Sequence, residues 1–542
     1  MDLPIQPPQV EREPTMLRTP SLPTSPGRTC HKGKDAVFHR PVAVLTACAF
    51  AIIATAPAAR CEDATSPERP PNIVFIMADD LGYCELGCYG QKRIRTPTID
   101  RLAAEGMRFT QHYAGNAVCA PSRCVLMTGK HPGHASIRNN REIKPEGQQP
   151  IPAGEVTIAE LLGDLGYVCG AFGKWGLGGP GSSGDPLRQG FDRFFGYNCQ
   201  RHAHSYYPSY LWDDDRRIKL DNCPPVPGHA ALGENDDPND PASFAPFKGE
   251  DYASDRINAA ALEFIRANKD RPFFLYYPTI IPHLALHVPD EELEPYRQLG
   301  WGETPFTGRQ PGSGYTPHQT PRAAYAAMIT RMDRYVGRVL ELLADLGLAE
   351  NTIVVFTSDN GTTFLQREVD YKFFESVGPL RGLKGSLFEG GVRVPMIARF
   401  PGRVEAGTTC DRVTGFEDWL PTLLELIGHA GAMPQQIDGI SFAPTLLGDD
   451  QPARPFLYRE FPGGGGQQAV WLGRYKGIRR EMLRRANRNP LHIELYDLAA
   501  DPGEEHDIAR KHPDIVAEIA KIMRREHIPS KLFPLGPADK RE

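Results

Sequence analysis

Asn72-Ile73-Val74-Phe75-Ile76-Met77, continued by Ala78-Asp79-Asp80-Leu81-Gly82, is an apolar run that ends abruptly in two adjacent carboxylates. The run shows no alternation, which suits a strand buried on both faces, as in a parallel sheet covered by helices. Carboxylates placed straight after such a strand sit at the carboxyl edge of the sheet, where open α/β folds hold their ligands. Asp and Gly are also ordinary turn residues, so this segment by itself reads as a turn. A second run, Thr352-Ile353-Val354-Val355-Phe356-Thr357, ends in Ser358-Asp359-Asn360-Gly361 and repeats the pattern. The repetition makes the two segments halves of one metal site. Three carboxylates and one amide oxygen are hard ligands that suit calcium, with magnesium second.

The 542 residues are 40% hydrophobic and 24% charged, enough to bury a large core and to divide into more than one domain. A net charge of -6 gives no footprint for nucleic acid, so an anionic ligand needs a local cluster of cations. Residues 1–59 read as an N-terminal extension and secretory signal, with basic residues up to Arg40, an apolar run from Val42 to Ala56, and Ala58-Ala59 at its close. The expected location is secreted or periplasmic, with no membrane span left after signal cleavage, because the run is short for a bilayer. Nine cysteines follow from Cys61 onward; setting Cys119 aside for chemistry leaves eight, a number compatible with an oxidising compartment.

Between the two acidic segments the chain alternates strands and helices. Thr96-Pro97 and Gly106 bracket a helix, a strand runs from Met107 to Tyr113, and Thr157 with Glu160 forms a capping box opening a further helix. The strand from Tyr167 to Phe172 leads to Lys174, and Phe273 to Tyr277 leads to Pro282-His283. Arg322 to Leu346 is a long amphipathic helix whose methionines face the core. From residue 451 the pattern changes to short strands and a closing helix. The expectation is an α/β catalytic domain over 70–450, with a parallel or mixed central sheet between helices, and a small C-terminal antiparallel sheet plus helix over 451–542.

Cys119-Ala120-Pro121-Ser122-Arg123, followed by Thr128-Gly129, resembles the signature of the arylsulfatase-type sulfatases on the alkaline-phosphatase-like scaffold. The resemblance extends over roughly residues 70 to 525. It implies that Cys119 is converted to formylglycine by a separate maturation enzyme. The chemistry explains the conversion. A thiol attacking a sulfate ester would be left as a thiosulfate with no easy exit, whereas one hydroxyl of an aldehyde hydrate attacks sulfur and the other expels sulfate. The resemblance assigns Asp79, Asp80, Asp359 and Asn360 to the metal, together with an oxygen of the converted Cys119. It assigns Arg123, Lys174, His283 and Lys384 to catalysis, with His283 meeting the leaving oxygen and Lys384 bridging sulfate and leaving group. With bound calcium these formal charges sum to about +2, which suits a small anion.

One position departs from the family pattern. Gly173-Lys174-Trp175-Gly176-Leu177-Gly178 carries glycine at 176 where the family has histidine, leaving the base for the second half-reaction unassigned. His202 and His204, on a loop rich in aromatics, are candidate substitutes, and Tyr206 offers a ring for a sugar. The implied function is release of sulfate from a sulfated small molecule or glycan. The alternatives are a formylglycine-dependent phosphonate or phosphodiester hydrolase, since fold does not fix reaction, and a non-catalytic binder of sulfated glycans.

Overall fold

The computed structural model describes residues 69–309, 314–363, 365 and 368–540; the signal-like segment and Cys61 lie outside them. These residues belong to one compact unit, Pro67–Glu542, so the C-terminal sheet does not separate from the rest as an independent body.

The main sheet contains eleven strands: β1 (Asn72–Ala78), β2 (Met107–Tyr113), β3 (Val168–Lys174), β4 (Arg193–Tyr197), β5 (Tyr210–Asp213), β6 (Arg216–Lys219), β7 (Phe273–Pro278), β8 (Thr352–Ser358), β9 (Arg393–Arg399), β10 (Thr408–Cys410) and β11 (Thr414–Gly415). Their order is β10-β2-β9-β8-β1-β7-β3-β4-β5-β6, with β11 on β2. β1 is central and parallel to both β7 and β8, and β3 is parallel to β7. β9 runs antiparallel to β8 and to β2, so β2 points the same way as β1. The carboxyl ends of β1, β2, β3, β7 and β8 therefore open on one edge. All seven residues of β1 are buried, and at roughly 1.5–3 kcal/mol per large apolar side chain this run anchors the layers on either face.

Helices cover both faces. Pro321–Asp345, Pro97–Ala104 and Ala253–Ala267 lie over one face, with Met328 and Met332 at most 1% exposed as core packing. Cys119–Thr128, Ile158–Asp164 and Trp419–Leu426 lie over the other. The capping box at Thr157 is formed: Glu160 N–H donates to Thr157 Oγ1, and Thr157 N–H donates to Glu160 Oε2.

The second sheet is four antiparallel strands, β12 (Leu457–Phe461), β13 (Gln467–Leu472), β14 (Tyr475–Arg479) and β15 (Glu494–Asp497), packed on the helix Pro513–Arg525. Buried charge ties it to the main sheet. Arg459 donates twice to Glu417, Arg454 reaches Glu417 and Asp418, and Lys476 pairs with Glu389 at 3.0 Å and Glu504 at 2.8 Å. Removing one partner from such pairs leaves a buried charge exposed to its full desolvation cost, so these contacts fix the join. Asp418, to which sequence alone gives no chemistry, belongs to this join. All eight described cysteines, Cys119 among them, are free thiols, so no disulfide braces the fold among the described residues.

Candidate active site

The shared carboxyl edge brings together residues more than 300 positions apart. β1 delivers Asp79 and Asp80, β3 ends on Lys174, β7 leads to His283, and β8 delivers Asp359 and Asn360. β2 leads into the helix Cys119–Thr128, which places Cys119 in the first turn, at the positive end of the helix dipole. Lys384 comes from the loop ahead of β9. Close strand approach at Lys174 depends on Gly173, where a Cβ would lie 1.9 Å from the Pro278 carbonyl oxygen. Asp80 adopts φ of 68°, a left-handed backbone that Asp tolerates better than most residues.

Cys119 Sγ is the common point. Lys174 Nζ lies 3.4 Å from it, Lys384 Nζ 3.6 Å and Asp79 Oδ1 3.6 Å. Each lysine is also held by a carboxylate: Lys174 on Asp79 at 2.6 Å and Lys384 on Asp80 at 2.7 Å. Arg123 is fully buried and donates through Nε and Nη2 to Asp359 Oδ2 at 3.1 and 2.8 Å. Its Nη1 donates to the Lys174 carbonyl, and Nη2 lies 3.5 Å from Asp79. Arg123 thus fixes the strand ends that carry the aspartates.

The electrostatics follow from this crowding. Burial pushes the Asp79 carboxyl up, but Lys174, His283, Arg123 and Lys384 outweigh it and hold it far below the usual carboxylate range. Asp359 is raised to about 6 by burial and by neighbouring Asp79, against the pull of Arg123. Burial lifts the Cys119 thiol to about 12 despite two adjacent lysines. An unconverted Cys119 is therefore a protonated thiol at neutral pH and a poor nucleophile.

The residues fit a hard divalent cation. Asn360 Nδ2 donates to Asp80 Oδ1 and to the Gly361 carbonyl, which turns Asn360 Oδ1 the other way, and that oxygen is buried with no hydrogen-bond partner. A buried acceptor left over beside three carboxylates is the donor set a calcium-type ion uses. Asp79, Asp80, Cys119 and His283 also present atoms within 4.8 Å of one another.

His283 lies 3.7 Å from Asp80 through Nε2, and its Nδ1 donates to the Leu284 carbonyl at 2.6 Å. Burial, reinforced by Lys384, lowers it to about 4, so the ring is neutral with the Nε2 lone pair toward the site. A proton-donating role requires protonation first, which a bound anion favours by offsetting Lys384.

The loop residues divide. His204 belongs beside the site, its ring stacked 4.8 Å from His283 with Nδ1 2.7 Å from His229 Nε2. His202 is turned onto Tyr210 and lies 3.6 Å from Glu146, with none of its contacts reaching Cys119 or the lysines. Tyr206 corrects the expectation of a sugar-stacking ring. It is 0% exposed, and its hydroxyl donates to the carbonyls of Ile280 and His283, so it braces the segment that carries His283. Two neighbours escape the sequence reading: Tyr315, whose ring packs on His204, His229 and His283, and Gln200. Tyr315 carries no signal beyond being an aromatic in a Gly- and Pro-rich loop. Gln200 fills the space beside Gly176, where an added Cβ would meet its Nε2 at 2.7 Å.

Comparison with known proteins agrees with this geometry. A family model described as Sulfatase matches residues 71–429, and one described as N-sulphoglucosamine sulphohydrolase, C-terminal, matches 383–528. Human arylsulfatase A is 34% identical over 84% of this chain and 87% of its own length. The N-acetylgalactosamine-6-sulfatase of Canis lupus familiaris is 33% identical over 76% of this chain and 72% of its own. Among solved structures, the complex of Ps i-CgsB with k-i-k-neocarrahexaose superposes with a TM-score of 0.66 at 25% identity, covering 84% of this chain and 92% of that one. The phosphonate and phosphodiester alternative is not favoured, and the chain belongs to the sulfatase family as a sulfuric ester hydrolase.

Proposed function

We propose that this enzyme removes sulfate from a sulfated carbohydrate, using Cys119 converted to formylglycine and a calcium ion held by Asp79, Asp80, Asp359, Asn360 and the converted side chain. The observation that carries the reading is the convergence on Cys119 of Lys174 and Lys384, at 3.4 and 3.6 Å, beside three buried aspartates. The ion would supply fixed positive charge against a sulfate oxygen, and the aldehyde hydrate would supply an oxygen nucleophile in place of the protonated thiol.

The remaining roles belong to residues in place. Lys174 and Lys384, already beside the nucleophile position, offset charge that develops on the sulfuryl oxygens. Arg123 holds Asp359 and the end of β3 in register. Neutral His283 gains a proton as the anion arrives, and passes it to the leaving sugar oxygen. His204, kept well below its usual range by burial and by neighbouring His283, stacks on that ring and fixes its orientation. His202 and Tyr206 are left without a chemical role. Maturation requires a formylglycine-generating partner, and the signal-like segment within 1–59 implies export to a secreted or periplasmic location. Among the described residues no helix is long and apolar enough to cross a membrane.

The test is sulfate release, followed by ion chromatography, from sulfated mono- and oligosaccharides after co-production with a maturation enzyme. Matched phosphate esters serve as the comparison. Release from sugars with little phosphate cleavage supports the reading; faster phosphate cleavage overturns it.

A further inference from the structure

A cleft of about 1300 Å³ opens in the C-terminal region, between the helix Pro513–Arg525, the loop ahead of β15 and the turns around Pro537. Its lining is partly aliphatic, with Leu491, Ile493 and Val516, and carries the cations Arg479, Arg510, Arg524, Arg525 and Lys540. No Asp or Glu lines it among the described residues. Arg510, Arg524 and Lys540 make no ion pair with any described residue.

Arg479 sharpens the observation. Among the described residues five arginines are buried, and four of them face carboxylates: Arg123 on Asp359, Arg138 on Glu460, Arg331 on Asp255 and Arg459 on Glu417. Arg479, 5% exposed, has only the neutral Leu491 carbonyl at 3.1 Å and Gln468 Oε1 at 2.9 Å. Among the described residues no acceptor meets its Nη2. Burial lowers the guanidinium to about 10, and Arg524 adds to the effect. A buried cation without a countercharge is costly unless an anion completes it.

We propose that this cleft is a second, non-catalytic site for an extended anionic glycan, holding sulfate or carboxylate groups of the chain whose sulfate ester is cleaved at Cys119. This rests on the sugar-sulfatase reading above. Spacing argues for a chain over a single anion. Pro513 and Arg524 both line the cleft and stand eleven residues apart in one helix, roughly 16 Å at 1.5 Å per residue, so the cleft is longer than one anionic group. The aliphatic lining residues suit the C–H faces of sugar rings lying between charged substituents.

The test uses the whole matured enzyme and a size-defined chondroitin sulfate oligosaccharide as probe. Calorimetric binding is compared for wild type, the Arg510→Gln/Arg524→Gln double variant, Arg479→Gln and Arg479→Lys. The double variant alters exposed positions and keeps the test informative if Arg479→Gln fails to fold. Loss of two charge-assisted contacts should weaken binding about ten- to hundredfold. Salt dependence should become shallower, Arg479→Lys should retain part of the affinity, and turnover of a small aryl sulfate should be unchanged. Unchanged oligosaccharide affinity in the double variant overturns the proposal, as does equal loss of aryl sulfatase turnover. Binding to phosphatidylserine vesicles that depends on these arginines, without oligosaccharide binding, also overturns it. If the oligosaccharide binds through these arginines but wild type releases no sulfate from any sugar, the cleft stands as a glycan site and the sugar-sulfatase reading falls.

Discussion

Restoring histidine at position 176 should damage this protein rather than improve it. Gly176 has φ of +83°, and an added Cβ would meet Gln200 Nε2 at 2.7 Å, Cγ at 3.0 Å and Cδ at 3.2 Å. A non-glycine residue in left-handed backbone costs roughly 1–2 kcal/mol, and forcing extra atoms into a packed site typically costs about 1–3 kcal/mol. Gly176→His should therefore destabilise by roughly 2–5 kcal/mol. Unfolding entropy of about 2.1 cal/mol/K per residue gives a unit of this size about 1 kcal/mol/K, so Tm should fall by about 2–5 °C at fixed scan rate. Adding Gln200→Ala removes the obstructing side chain and should recover the packing part, leaving only the backbone part. This coupling distinguishes occupancy by Gln200 from a general intolerance of the loop. A Gly176→His variant with unchanged Tm, or a double variant no more stable than the single, would refute the reasoning.

Other outcomes follow from the same geometry. Asn360→Leu keeps the branched shape but removes the unpartnered Oδ1 together with the Nδ2 that donates to Asp80 and Gly361, and should weaken calcium binding at least about tenfold by calorimetry; unchanged affinity would remove Asn360 from the metal site. Glu85 is lifted by burial to about 7 from its usual 4.5, despite hydrogen bonds from Gly82 N–H and the Tyr325 hydroxyl. Its protonated form is the one the fold prefers, so its contribution is full below about 4.5 and is lost as pH rises through 7; Glu85→Gln should flatten that loss, worth roughly 3 kcal/mol, in urea denaturation followed from pH 5 to 8. His283→Ala should slow turnover of sugar sulfates by about 10²–10⁴ and activated phenol sulfates far less, because only the former need a proton on the leaving oxygen; equal slowing would place His283 in binding instead.

The parts of the fold legible in the sequence were those written in continuous patterns. β1 and β8 are unbroken apolar runs followed by acidic pairs, so their central place and the carboxylates at their ends follow from burial on both faces. The capping box at Thr157 is a local device that needs no tertiary context. What could not be read depends on partners distant in sequence. Tyr206 looks like a free aromatic in a histidine-rich loop until Ile280 and His283 supply carbonyls for its hydroxyl. Tyr315 and Gln200 enter the neighbourhood of the site through loop paths that no periodicity encodes. The even number of cysteines was compatible with pairing, yet every described one is a free thiol. The composition change near residue 451 marks a new sheet, but not the buried Arg459–Glu417 and Lys476–Glu389 pairs that bind it to the first.

The proposed chemistry depends on the state of Cys119, and peptide mass spectrometry across Cys119–Arg123 reads it directly. In protein made with a maturation enzyme, the active fraction should carry an aldehyde in place of the thiol, trapped by a carbonyl reagent, and activity should scale with the converted fraction. Fully active protein whose Cys119 alkylates quantitatively as a thiol would contradict it.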